Sequence, residues 1–211
     1  MMSGLAGSMA QLLIEISAVG ITLDAPITFK SGILSPVYTD NRRLPYYPAA
    51  WKQIIAGFQQ LIQQENLTFD VIAGIEAAGI PHSAALGYAL EIPSVFVRKE
   101  AKGHGKKNRV EGGNVSGKRV LLIEDLVTTG SSSLAGVEAL RDENAIVDHC
   151  LAITSYGFAE AERNFSGAQV KLHTLTSFQV IWAALKTQAT AQEISAIEDW
   201  ISDPFGWAER R

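Results

Sequence analysis

Cysteine is almost absent. Cys150 stands alone among 211 residues, so no internal disulfide can form, and its setting in "VDHCLAIT" reads as a reduced, buried strand residue. A reducing compartment, the cytoplasm, is the expected location. Long apolar runs are missing as well. No stretch reaches the roughly 18 residues of a membrane span, and the early apolar segment "MAQLLIEISAVGI" has no basic residue before it and carries Glu15, unlike a secretory signal. Surplus charge is small: 18 Lys and Arg against 22 Asp and Glu give a net charge of -4, which argues against a general nucleic-acid or membrane-surface role. Repeats, low-complexity tracts and Pro/Ser-rich linkers are lacking too. With 47% hydrophobic and 19% charged residues, the chain fits a single domain with a full core.

What is present alternates. "WKQIIAGFQQLIQQ" spaces Trp51, Ile54, Ile55, Phe58, Leu61 and Ile62 along one helical face, after Pro48. Short runs rich in β-branched residues follow at 71–75, 94–98, 119–125, 148–154 and 171–176. They are continuous rather than alternating, as expected of strands buried on both faces of a parallel sheet. Between them, "IPHSAALGYALE" and "SSSLAGVEALRDE" read as helices. This order predicts an α/β fold with an open, mainly parallel sheet flanked by helices. The first 45 residues break the rhythm: "PITFKSGILSPVYTDNRR" reads as two short extended pieces around a Lys-Ser-Gly turn, an appendage over the sheet. Ligands of such sheets bind beyond the carboxyl ends of the strands, so chemistry is expected after residues 75, 98, 125 and 154.

Two stretches stand on that rim. In "VLLIEDLVTTGSS" an apolar strand runs into Glu124 and Asp125 and then into Thr128, Thr129, Gly130, Ser131 and Ser132, ahead of a helix. Amides and hydroxyls converging on a helix N-terminus suit a phosphate, and Gly130 relieves the tightest point of the turn. The carboxylates would repel that phosphate, so they suit a vicinal diol, with Mg²⁺ shared with a diphosphate nearby. Ordinary helix capping by a Thr or Ser is the competing reading. The second stretch, "RKEAKGHGKKNRVE" (98–111), holds six Lys and Arg and two Glu, a local +4 in a chain of net -4. Its glycines disfavour regular structure, and a cationic loop at the rim suits a lid over polyphosphate, a solvated surface loop being the alternative.

The 13-residue acidic and hydroxyl pattern resembles the phosphoribosyl diphosphate (PRPP) motif of the type I phosphoribosyltransferases. "RKEAKGHG", the hood-like "FKSGILSPVYTDNR" and "IAGIEAAGIPHSAALG" look like the catalytic loop, substrate hood and diphosphate-side loop of the orotate phosphoribosyltransferase family, in the same order, from about residue 20 to 160. The resemblance implies a Mg²⁺-dependent pentosyltransferase that joins the ribose 5-phosphate of PRPP to orotate, releasing diphosphate and orotidine 5'-monophosphate for UMP synthesis. It implies one domain, with a hood of about residues 1–45 plus a C-terminal part over a core of about 46–180, and a homodimer whose active sites are shared. Arg98, Lys99, Lys102 and His104 would be the catalytic contacts to diphosphate, several reaching into the partner's site. PRPP would also meet Lys30, Glu124, Asp125 and the segment Leu126, Val127, Thr128, Thr129, Gly130, Ser131 and Ser132; Thr128 would touch orotate, and Mg²⁺ would be held mainly through PRPP. Alternatives are another nucleobase phosphoribosyltransferase or a non-catalytic PRPP-binding regulator. Two departures stand out: where many members have an Asp-Arg pair that grips the orotate carboxylate this chain reads "AITSYGF", and Ala78 occupies a frequent lysine position before "GIP".

Overall fold

The computed structural model describes residues 4–100 and 109–210. In chain order its elements are α1 (Leu5–Glu15), β1 (Val19–Ile21), β2 (Ile27–Thr28), β3 (Leu34–Ser35), β4 (Val37–Thr39), a 3-10 segment (Asn41–Tyr46), α2 (Pro48–Gln64), β5 (Val71–Ile75) and α3 (Gly79–Leu90). Next come β6 (Ser94–Val97), β7 (Val110–Glu111), β8 (Arg119–Val127), α4 (Ser131–Asp142), β9 (Ile146–Ser155), α5 (Ala159–Gly167), β10 (Lys171–Ser177), α6 (Phe178–Leu185) and α7 (Ala191–Ser202), then a last 3-10 turn at Trp207–Arg210.

Six strands form the central sheet in the order β10-β9-β8-β5-β6-β7. All neighbours are parallel except β7, which pairs antiparallel with β6 at the edge. Successive strand residues point to opposite faces, and both faces are buried. Val71, Ala73, Ile75, Val120 and Leu122 join the core under α4 and α5, while Ile72, Leu121 and Ile123 join a second core with Ile54 and Phe58 of α2 and Leu86 of α3. That double burial is why the strands read as unbroken apolar runs. β8 extends two residues past the expected end at 125, because Leu126 and Val127 still pair with Thr154 and Ser155 of β9. Glu124 and Asp125 thus sit within the strand, as expected, but two residues short of its end.

The first 45 residues divide. Met9, Leu12 and Leu13 of α1 are buried in the second sheet core, so this helix belongs to the central layer and does not lie over it. From Val19 onward the expected appendage is present: β1 pairs with β4, and β2 with β3, in two small antiparallel sheets. A third core seats this hood on the C-terminal helices, uniting Ile33 and Val37 with Tyr156, Phe178, Ile197 and Trp200. Trp200 is fully buried and its indole N–H donates to the Leu34 carbonyl at 2.9 Å. No helix among the described residues is long and apolar enough to cross a membrane.

Candidate active site

Strand order reverses between β8 and β5, and at such a switch point the loops diverge and leave a crevice. A cleft of about 590 Å³ opens there, between the carboxyl ends of the strands and the hood. Its wall on the β8 side is continuous from Glu124 to Ser133. Lys30, Lys99 and Glu76 complete it from the hood and from the ends of β6 and β5. Two regions far apart in sequence, the acidic and hydroxyl motif and the start of the basic loop, thus face a single space.

The turn into α4 is set by Gly130, whose φ of +84° lies in the left-handed region; a Cβ there would also come within 2.8 Å of Phe165. Gly130 is itself the N-cap, and no side chain caps the helix. The plain capping reading is therefore not realised, and the first amides of α4 remain open to an anionic guest. The Thr129 hydroxyl lies 3.1 Å from that of Ser131, and Asn164 Nδ2 donates to the Thr129 carbonyl at 2.9 Å, holding the loop from α5. Across the cleft, Gly79 lets α3 approach β8: a Cβ there would stand 2.4 Å from the Ile123 carbonyl oxygen.

Glu124 is 5% exposed. Its carboxylate accepts from the Asp125 amide at 3.2 Å and from the Ser133 hydroxyl at 3.4 Å. Burial, and then the neighbouring Asp125, push its pKa well above the ordinary carboxylate value; burial likewise raises Asp125. Contact with Lys99, followed by burial, lowers the pKa of Lys30. The free cleft thus holds two discouraged carboxylates and a discouraged ammonium, groups that a ligand of mixed charge would relieve.

Of the residues expected at the site, Lys30, Lys99, Glu124, Asp125, Leu126, Val127, Thr128, Thr129, Gly130, Ser131 and Ser132 line this cleft. Arg98 does not: its guanidinium lies 3.7 Å from Glu111, and its amide donates to the Arg109 carbonyl within the β6–β7 pairing. Lys102 and His104 lie outside the described residues. Tyr156, in the "AITSYGF" stretch, is 1% exposed and packs on Phe29 at 4.9 Å. Sequence reading passed over Phe29, Thr39, Arg42 and Glu76, which also line the cleft, and Asn41 behind it. For Thr39, Asn41 and Arg42 the only signal was the density of polar groups in "VYTDNRR", inside the hood stretch; Phe29 and Glu76 lie in the "FKSG" and "IAGIEAAGIP" stretches without a feature of their own.

A family model described as "Phosphoribosyl transferase domain" matches residues 46–155, the segment that builds both walls of the crevice apart from the hood. The fold and the cleft are those of a phosphoribosyltransferase. The orotate phosphoribosyltransferase of Coxiella burnetii is 42% identical over 204 residues, 96% of this chain and 98% of that one. Among solved structures, orotate phosphoribosyltransferase from Aeropyrum pernix superposes with a TM-score of 0.75 at 28% identity, covering 85% of this chain and 98% of its own. Leishmania donovani UMP synthase reaches a TM-score of 0.80 at 25% identity, over 94% of this chain and 42% of that longer one. The chain belongs to the orotate phosphoribosyltransferase family, whose members are pentosyltransferases.

Proposed function

We propose that this cleft binds PRPP and orotate and transfers the ribose 5-phosphate group between them, serving UMP synthesis in the cytoplasm. The observation that carries this reading is the convergence of Lys30 and Lys99 with Glu124–Ser132 on one cleft. Amides and hydroxyls of Thr128–Ser132 hold the 5'-phosphate at the open end of α4. Glu124 and Asp125 accept from the ribose hydroxyls, which restores to the buried Glu124 and the half-buried Asp125 the polar partners that water would supply. Lys30 and Lys99 meet the diphosphate. As the bond from the anomeric carbon to diphosphate oxygen breaks and a bond to the orotate ring nitrogen forms, that nitrogen's proton is released to solvent and negative charge grows on the departing group. Cations fixed there stabilise the transition state more than the ground state.

Arg98, Lys102 and His104 are assigned to the same leaving group, acting in the cleft of a second subunit; Arg98's position on the β6–β7 edge, away from its own cleft, supports that assignment and with it a homodimer. Mg²⁺ fits the donor set as a ligand-borne ion. Two adjacent carboxylates offer hard oxygen donors, whereas no group of three His, Cys, Asp or Glu among the described residues forms a cage. When bound, Mg²⁺ would neutralise part of the diphosphate charge.

The test is to follow the loss of orotate absorbance with PRPP and Mg²⁺, alongside uracil and a panel of purine bases. Consumption of orotate with stoichiometric release of diphosphate is expected. Turnover of a purine with none of orotate would move the chain to another base, and retention of PRPP with no diphosphate release for any base would make it a sensor.

A further inference from the structure

Orotate differs from uracil by one carboxylate on the ring, and a site that selects it needs a cation placed apart from those that hold the diphosphate. Three cations line the cleft among the described residues: Lys30, Arg42 and Lys99. Two of them stand together. Lys30 is in contact with Lys99, whose amide in turn donates to Glu76 Oε2 at 2.9 Å at the β5 end of the cleft. Such a lysine pair suits a multiply charged group.

Arg42 stands apart, on the hood wall. Its Nε donates to Asp40 Oδ1 at 2.5 Å, and 70% of its side chain is exposed, so the outer edge of the guanidinium faces the open space. The backbone beneath it is pinned. Asn41 is fully buried and its amide donates to the Asp125 carbonyl at 2.7 Å, locking this hood segment to the end of β8. Phe29 and Thr39 share the wall: the Phe29 ring packs on Tyr156, whose hydroxyl donates to Thr39 Oγ1 at 3.3 Å. An aromatic face, a hydroxyl and a guanidinium together match a flat heterocycle that carries a carboxylate.

We propose that Arg42 recognises the carboxylate of the nucleobase and so sets the preference for orotate over uracil, an inference that rests on the function proposed above. The guanidinium fork can bind a carboxylate through two donors while Nε stays on Asp40, and lysine at this position would supply charge without the fork. Asn41 acts behind it as a positioning residue, holding the hood segment against the strand that carries the ribose-binding pair.

The experiment compares wild type with Arg42→Gln and Arg42→Lys, measuring KM for orotate, KM for PRPP and turnover of uracil relative to orotate, with melting temperatures beside them. Arg42→Gln is expected to raise the orotate KM about tenfold or more, the scale of one lost charge-assisted hydrogen bond. The PRPP KM should stay within about twofold and the preference over uracil should fall; Arg42→Lys should recover part of the loss. An unchanged orotate KM, or equal rises in both KM values, overturns the proposal for an enzyme whose wild type turns over orotate. A wild type that consumes no orotate overturns the function and the proposal together.

Discussion

At the scale of single residues, the carboxylate pair sets stability against function. Glu124 is buried beside Asp125, and its pKa is raised by burial first and by that neighbour second. A carboxyl whose pKa is higher in the folded state gains stability as pH falls through that value and is penalised above it. Glu124→Gln should therefore raise the stability of the free protein near pH 7.5 while weakening PRPP binding at least about tenfold. Thermal melts and a PRPP titration check both halves; a lower melting temperature would show that the bonds from the Asp125 amide and Ser133 outweigh desolvation. Glu124 and its hydroxyl neighbours were legible in the sequence because the motif is local, thirteen residues on one strand, turn and helix start. Arg42 and Asn41 were not, because what makes them matter is a contact across the fold: Asn41 meets a carbonyl 84 residues further along the chain.

At the scale of elements, the sheet strands were legible because each is buried on both faces, which leaves an unbroken apolar run. Their carboxyl ends were harder to read: β8 runs on through Leu126 and Val127 because β9 lies beside it, and no local signal records a parallel partner. Helix α1 was folded into the appendage for a similar reason, since its attachment to the sheet core rests on non-local packing of Met9, Leu12 and Leu13. The two- and three-residue hood strands carry too little pattern to show period two. What holds them is α7. Trp200 combines full burial with a hydrogen bond to the Leu34 carbonyl, and its ring meets Phe178 at 5.5 Å and Phe29 at 6.5 Å. Trp200→Phe keeps an aromatic ring but removes the indole donor and part of the volume, so a loss of about 2–4 kcal/mol is expected. Urea unfolding measures it, and hydrogen exchange at Leu34 and its neighbours should rise well above that of β8. Equal protection in the two regions would show that α7 does not secure the hood.

For the molecule as a whole, the buried histidine of α3 shapes the acid limb of stability. His82 is fully buried, accepts from the Trp51 indole N–H at Nδ1 (3.0 Å), and is lowered by burial to about 4. In the unfolded chain an ordinary histidine takes up its proton near pH 6.5, so the unfolded state binds more protons between there and about 4. Stability from this group is full above about pH 6.5 and declines as pH falls toward 4, by roughly 3 kcal/mol in all. His82→Asn, which can still accept from Trp51, should flatten the difference in unfolding free energy between pH 7 and pH 5; an unaltered slope would place the acid sensitivity elsewhere. Nothing in "IPHSAALG" announced this role, since a histidine in a helix looks the same whether it is buried or not. The layout of the cores has its own consequence. Two of them press on the central sheet and the third binds the roof to the tail helices, and the cleft runs along the seam between roof and sheet. A substrate lodged in that seam is the mortar between separately built blocks, so occupancy and the rigidity of the roof rise and fall together.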